Sequence, residues 1–347
     1  MKTLQDQVKL GGLTLKNRLC VPPMVVFNLS EPDGFVSEGN IAHYRSLAEG
    51  GFGLIIQEAT CVSPDGLLHN SQLGLWKEEQ IPGHQKIVEA VHAAGSKILV
   101  QIHHAGLVSS GRRHLCPSPY VLGETRGEEM SLLDIQQVKT DFANAAYRAK
   151  QAGYDGVEIH GCHGYLLSQF MNNRVNRRQD HYGDPMALTL EIFHLIRSLC
   201  GHDFLVGVRL GGFEPDLAAA IDHAKALEQA GADFLDISYG FSAEMDTDAP
   251  GDSQLKDIIR AAGAIKAQVS CPVFAVNGIC TPEEAKNVLN KTNVDMIDIG
   301  RSALVDTGWA KKALAGEMPG KCLHCKSCQW RFDFRKCPGR IMMEKEK

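Results

Sequence analysis

Helical segments of this chain end on glycine and pass within a few residues into short apolar runs. The joints Ala152-Gly153-Tyr154-Asp155 and Ala230-Gly231-Ala232-Asp233 show the pattern most clearly. Glycine suits the left-handed backbone just past a helix end, so each joint reads as a helix C-cap followed by a strand. Runs such as Gly53-Leu54-Ile55-Ile56 and Lys97-Ile98-Leu99-Val100-Gln101 are continuously apolar, as strands covered on both faces of a parallel sheet are. Such runs start near Arg18, Gly53, Lys97, Gly156, Phe204, Phe234, Pro272 and Asp295. Eight strands alternating with helices, with no second composition regime, predict a (β/α)8 barrel rather than a doubly wound sheet. The best-marked helix spans Leu132 to Gln151. It opens on Ser131 with Asp134 three residues on, and carries Ile135, Val138, Phe142, Ala145 and Ala149 on one face. Val8-Lys9-Leu10 and Leu13-Thr14-Leu15, about Gly11-Gly12, predict an N-terminal hairpin. Pro22-Pro23-Met24 ends the first strand. The polar stretch from Ala105 to Met130 is expected to be an elaborated loop after the third.

Composition excludes several function classes. A chain of 347 residues that is 44% hydrophobic can bury a large core, and its net charge of −5 gives no nucleic-acid surface. No apolar run reaches the roughly 18 residues of a membrane span, and the start, Met1-Lys2-Thr3-Leu4-Gln5-Asp6, has no signal-peptide core. A soluble, cytoplasmic protein with no membrane partner is the expectation. Of eleven cysteines, seven are scattered singly, as reduced thiols are, whereas Cys322, Cys325, Cys328 and Cys337 crowd the end. The expected division is residues 1–318 for the barrel and 319–347 for a cysteine-rich tail.

Chemistry concentrates in Glu158-Ile159-His160-Gly161-Cys162-His163-Gly164-Tyr165-Leu166. A strand runs straight into two histidines and a tyrosine set among glycines, at the end of strand four, where barrel active sites gather. Imidazole N–H groups can donate to a carbonyl or nitro oxygen, and a nearby phenol can deliver a proton. A metal-binding pair, or histidines satisfied in a polar loop, remain the other readings of these residues. Two further strand ends, Phe274-Ala275-Val276-Asn277-Gly278-Ile279 and Ile297-Asp298-Ile299-Gly300-Arg301-Ser302, place glycine where a helix begins. Free backbone N–H groups there, with Arg301, suit a phosphate, although ordinary left-handed turns read the same way. No G-x-G-x-x-G follows an early strand, so a Rossmann site is not indicated.

Together these residues resemble the old yellow enzyme family of flavin-dependent ene-reductases. The matches are Lys16-Asn17-Arg18, Pro23-Met24, Gly53 to Ile56 with Glu58-Ala59-Thr60, Gln101 with His104-Ala105-Gly106, and Glu158 to Leu166. They continue through Asn176, Asp180 with Tyr182-Gly183, Val208-Arg209, Asn277-Gly278 and Gly300-Arg301, covering residues 5 to 315 in order. The resemblance implies an FMN-bearing barrel reduced by NADH or NADPH. By resemblance, Pro22, Pro23, Met24, Val25, Ala59 and Gln101 surround the flavin ring. Arg209 stands by flavin N1 and stabilises its anionic reduced form. Asn277, Gly278, Gly300 and Arg301 hold the phosphate. His160 and His163 anchor the substrate oxygen and Tyr165 gives the proton. FMN supplies the hard chemistry and the protein supplies orientation and charge. The sequence departs from the family at Val25, where threonine or cysteine is common, at Phe27 for tyrosine, and at Leu107 for arginine. The stretch Asp184 to Thr189 departs as well.

The tail Cys322-x-x-Cys325-x-x-Cys328, with Cys337-Pro338, lies in a basic, aromatic segment. Four thiolates this close can hold a metal. The tail resembles that of larger relatives of the dienoyl-CoA reductase and trimethylamine dehydrogenase type, which carry a cysteine-bound [4Fe–4S] cluster here and further FAD/NAD domains. Iron–sulfur is the expectation, with zinc as the alternative and a metal-free tail as the third case. The leading function is reduction of activated C=C bonds in enones, enoates or nitroalkenes, with a small alkene and nicotinamide as partners. A homo-oligomer is compatible with the sequence. The competing readings are a flavin/metal electron-transfer or redox-sensing module, and a phosphate-binding barrel of other chemistry.

Overall fold

The computed structural model describes residues 1–345 apart from 28, 331, 332, 334 and 335. Part of the tail's basic, aromatic segment (Arg331, Phe332, Phe334 and Arg335) therefore lies outside the described residues. Eight parallel strands close into a barrel in chain order. They are β1 (Leu19–Val21), β2 (Leu54–Cys61), β3 (Lys97–His103), β4 (Gly156–Gly161), β5 (Leu205–Gly211), β6 (Leu235–Ser238), β7 (Val273–Ala275) and β8 (Met296–Asp298). Each begins within one residue of its expected start. The barrel prediction holds because the helix-to-strand joints behave as glycine chemistry requires. Gly51, Gly95, Gly153 and Gly231 have φ of 91°, 75°, 90° and 91°, where an L side chain is disfavoured.

The helix after β3 spans Leu132–Gln151 and opens on the Ser131–Asp134 capping box. It buries Ile135, Val138, Phe142, Ala145 and Ala149 and packs beside Ala187–Cys200, the helix ahead of β5. The loop before it is more ordered than its polarity suggested. Leu115–Cys116, Tyr120–Leu122 and Thr125–Glu129 form a small three-stranded sheet, which Tyr120 ties to the loop after β6 through a 2.7 Å hydrogen bond to Glu244 Oε1.

Strand alternation divides the barrel into two layers. Outward residues such as Val157, Ile159, Val206 and Val208 pack under the helices. The inward set changes character along the strands. At one end Cys20, Leu54, Ile56, Leu99, Leu205, Phe234, Phe274 and Met296 form an apolar cluster. The N-terminal hairpin, Val8–Leu10 paired with Leu13–Leu15, inserts Val8, Leu10 and Leu15 into that cluster and plugs the barrel floor. Gly207 belongs to this layer, because a Cβ there would collide with the Phe234 ring. Towards the C-terminal strand ends the interior becomes polar, with Gln101, Glu158, His160, Arg209, Asp236 and Asp298 all buried.

The tail folds back on the barrel. Buried Trp330 donates from Nε1 to the Leu304 carbonyl at 3.1 Å and packs with Val26, Leu304, Met24 and Leu29. Among the described residues, no helix is long and apolar enough to cross a membrane.

The hairpin plug gives the first prediction. Leu10 is fully buried, whereas Thr14 on the same hairpin is exposed. Leu10→Ala should lower unfolding free energy by about 2–5 kcal/mol in denaturant titration, and Thr14→Ala by less than about 0.5 kcal/mol. Equal small effects would show that the plug does not stabilise the barrel.

Candidate active site

Parallel register sets the site. Arg209 on β5 lies opposite His160 on β4 and Asp236 on β6, so the three side chains form one inward row. Gln101 pairs with Glu158 in the same way and donates to its Oε1 at 2.8 Å. Arg209 Nε approaches Asp236 Oδ2 at 3.2 Å, an ion pair without an aligned hydrogen bond. Glu158 and Asp298 complete a group of three carboxyls about one guanidinium. Burial and mutual repulsion push Glu158 and Asp298 well above the usual carboxylate range and raise Asp236 less far. Burial opposes the charge on Arg209, but Asp236 and its neighbours outweigh that effect and keep the guanidinium protonated.

Above this row opens a cavity of about 280 Å³. Pro22, Pro23 and Met24 form one wall, and Arg209 and Asp298 form part of its floor. Asn277, Gly278, Gly300 and Arg301 line the far end, after β7 and β8. Asn277 and Gly278 have φ of 101° and 76°, so this turn departs from ordinary L-residue geometry. Of the expected ring-side residues, Val25, Ala59 and Gln101 do not line the cavity. Ala59 and Gln101 are buried, and Val25 follows Met24 at half exposure.

Beside the cavity the two motif histidines and the tyrosine converge as the sequence indicated. His160 Nε2 lies 3.1 Å from His163 Nδ1. The Tyr165 ring centroid is 4.9 Å from that of His160 and 6.4 Å from that of His163. Positive φ at His163 (61°) and Gly164 (72°) turns the chain back at the strand end. Burial holds His160 well below the ordinary imidazole pKa, with Arg209 and the neighbouring rings adding to the effect. His163 is solvent-exposed, yet partial desolvation and the Arg209 charge lower it as well. Both imidazoles are neutral near pH 7. His160, Cys162 and His163 also bring donor atoms within 4.8 Å of one another, the geometry behind the metal-pair reading. The ring nitrogens, however, are already hydrogen-bonded to each other and to neighbours.

Three features were missed from sequence. His103 on β3 lies with its Nδ1 3.0 Å from His160 Nδ1, and Ser238 Oγ lies 2.7 Å from His163 Nε2. Both were legible by strand alternation, because His103 is two residues beyond Gln101 and Ser238 two beyond Asp236. Buried Glu58 is the third. It accepts from the Val26 N–H at 2.9 Å and from the Tyr44 hydroxyl at 3.1 Å, pinning the segment that follows Met24.

The tail reaches the same cavity from outside. Cys322 N donates to Ser302 Oγ at 3.2 Å, and His324 Nε2 lies 3.3 Å from Cys280 Sγ; Ser302 and Cys280 both line the cavity. Cys322, Cys325, Cys328 and Cys337 are not gathered into one metal-binding group among the described residues. Cys325 and Cys328 are exposed, and Cys322 and Cys337 are half-buried.

The site is a buried cation under a cavity at the strand ends of a closed parallel barrel, with a neutral histidine pair beside it, and the family comparisons place it in the FMN-dependent NAD(P)H oxidoreductase class. The chain belongs to the NADH:flavin oxidoreductase / NADH oxidase family, whose model matches residues 4–318. It is 36% identical over 343 residues to an NADH oxidase of Thermoanaerobacter brockii, covering 93% of this chain but only 52% of that protein. It therefore spans about half the length of that relative. It is 33% identical to an NADPH dehydrogenase of Listeria innocua, covering 90% of this chain and 94% of the relative. Among solved structures, the old yellow enzyme homologue of Zymomonas mobilis superimposes with a TM-score of 0.80 at 25% identity, covering 96% of this chain and 99% of that one. A 2-naphthoyl-CoA reductase shares the fold with a TM-score of 0.84 at 24% identity, over 92% of this chain and 54% of that one.

Glu58 yields a pH prediction. Burial raises its pKa from the ordinary 4.5 to about 7, against the opposing bonds from Val26 and Tyr44. The folded state therefore holds this proton more tightly than the unfolded chain. The associated stability is full below about pH 4.5 and is lost as pH rises through about 7. Glu58→Gln, which never ionises, should remove on the order of 3 kcal/mol of that decline in denaturation measured across this range. Parallel pH profiles for parent and variant would contradict the assignment.

Proposed function

We propose that this chain reduces activated C=C bonds of enones, enoates or nitroalkenes, with FMN as its resident cofactor and NAD(P)H as reductant. The observation that carries the reading is the convergence of two neutral imidazoles and a phenol beside a cavity floored by a buried guanidinium. The cavity residues suit FMN. Arg209, held by Asp236 through its Nε, lines a space that Pro22, Pro23 and Met24 also line, a positive charge beside apolar surface as an electron-rich heterocycle requires. Gly300 presents bare backbone to the cavity between Met24 and Pro22. Pro22, Pro23 and Met24 would flank the ring, whereas Val25, Ala59 and Gln101 lie off the cavity lining. Arg209 would supply the fixed positive charge beside it, and Asn277, Gly278, Gly300 and Arg301 would hold the phosphate. FMN held there would supply the hydride chemistry, with NAD(P)H as the reductant. His160 and His163 donate hydrogen bonds to the carbonyl or nitro oxygen, and these bonds strengthen as that oxygen gains charge. Tyr165 delivers the proton to the carbon next to the activating group.

Tyr165→Phe should slow enone reduction by roughly 10²–10⁴-fold, the usual contribution of a general acid, and nitroalkene reduction by less. Nitronates persist without immediate protonation. A variant reducing enones at the parental rate contradicts the assignment. Arg209→Ala should lower the fraction of protein retaining FMN, and unchanged flavin content would remove Arg209 from the cofactor site.

A second reading is favoured by the tail's contacts with Ser302 and Cys280, two cavity residues. We infer that Cys322, Cys325, Cys328 and Cys337 take up a metal centre beside the cofactor, iron–sulfur ahead of zinc. In this reading the protein exchanges electrons with a redox partner and turns over alkenes slowly. Anaerobic elemental analysis separates the cases. A [4Fe–4S] cluster requires about four irons and four sulfides per chain, and structural zinc requires one zinc and no sulfide. Neither metal, with four freely titrating tail thiols, would exclude both.

A further inference from the structure

The histidine pair has a partner at each outer end. His103 Nδ1 meets His160 Nδ1 at 3.0 Å, His160 Nε2 meets His163 Nδ1 at 3.1 Å, and His163 Nε2 meets Ser238 Oγ at 2.7 Å. Burial lowers the pKa of His103 to about 3 and holds His160 well below its ordinary value, so the rings are neutral. A neutral imidazole carries one proton, and a ring bonded at both nitrogens donates at one and accepts at the other. Chains of this kind are therefore directional, and their ends set the direction.

His103 fixes one end. Its Nε2 is buried without a hydrogen-bond partner. Orphaned buried N–H groups are rarer than under-satisfied acceptors, so the proton belongs on Nδ1, which donates to His160 Nδ1. His160 must then carry its proton on Nε2, the nitrogen facing His163. At the other end the Ser238 hydroxyl can donate to His163 Nε2, which leaves the His163 proton on Nδ1, facing His160. With both ends donating inward, two N–H groups confront each other. Only an electron-rich acceptor beside both nitrogens, off the 3.1 Å line that joins them, satisfies both. Without one, the serine hydroxyl turns to accept from His163 Nε2, and His160 Nε2–H donates to His163 Nδ1. His163 is solvent-exposed, so its proton can exchange between the two nitrogens.

We propose that His103 and Ser238 are positioning residues, which set the tautomers of His160 and His163 so that both rings present N–H to one ligand oxygen. The ligand class this selects is a phenolate, an enolate or a strongly polarised carbonyl or nitro group. A hydroxyl that must donate its own proton is disfavoured. The inference rests on the reading of His160 and His163 as the oxygen anchor.

The test uses the FMN-loaded protein with 4-nitrophenol as probe, read by titration calorimetry, and ¹⁵N-histidine NMR to report tautomers. His103→Phe keeps the ring that stands edge-on to Tyr165 at 4.5 Å but removes the donor, whereas His103→Asn keeps an N–H in reach of His160. His103→Phe should weaken phenolate binding about tenfold, the scale of one charge-assisted hydrogen bond, and move the His160 proton off Nε2. His103→Asn should restore the Nε2–H tautomer and most of the affinity. Ser238→Ala should produce a similar loss with the change at His163, and reads the proposal even if His103→Phe fails to fold. Parental affinity and an unchanged His160 tautomer in His103→Phe, with binding lost in His160→Ala, would overturn the proposal while leaving the anchor intact. Loss of affinity in both His103 variants without a tautomer change would reduce His103 to packing and overturn it too. Parental binding in His160→Ala would instead remove the anchor, and the proposal with it.

Discussion

Arg209 sits inside the barrel as a buried cation, 3.2 Å from Asp236, at the level where the interior turns from apolar to polar. Removing a guanidinium from water is tolerable only where anions replace the lost hydration. Asp236 provides the closest one, while burial and the neighbouring carboxyls push Glu158 and Asp298 well above the usual carboxylate range. The cation then has two consequences above it. It leaves a fixed positive charge facing the cavity, where a cofactor that becomes electron-rich gains stabilisation. It also adds to burial, the larger cause, in lowering the pKa of His160 and His163. One buried charge thus acts on both halves of the site.

Barrel closure makes that sharing geometric. Parallel strands in register place His160, Arg209 and Asp236 side by side, and a one-residue slip of β5 would turn Arg209 outward under the helices. The hairpin plug and the apolar floor hold the register from below. The proline pair Pro22-Pro23 stops β1 early, and Glu58 fastens the following segment through the Val26 N–H. The cavity wall is consequently fixed by a buried carboxyl that is itself close to titration near neutral pH.

Most of the fold was legible because its punctuation is local. Helix-capping glycines and the Ser131–Asp134 box act within a few residues, so strand starts and the Leu132–Gln151 helix follow from short stretches of chain. The His160, His163 and Tyr165 group was legible for the same reason, being one strand end. The small sheet between Ala105 and Met130 was not, since its pairing depends on contacts such as Tyr120 with Glu244, far apart in sequence. Alternation puts His103 and Ser238 on the inward faces of β3 and β6, two residues beyond Gln101 and Asp236, but their pairing with His160 and His163 depends on how the strands meet in space. Trp330 likewise gives no local sign that it docks on Leu304 and Val26.

The cavity over Arg209 is proposed to hold FMN next to the histidine pair. The most direct measurement is the visible spectrum of anaerobically purified protein, with the released chromophore quantified after denaturation. The account predicts flavin bands and close to one FMN per chain, perturbed on adding a phenolate. A colourless protein that neither retains FMN nor takes it up on reconstitution would contradict it.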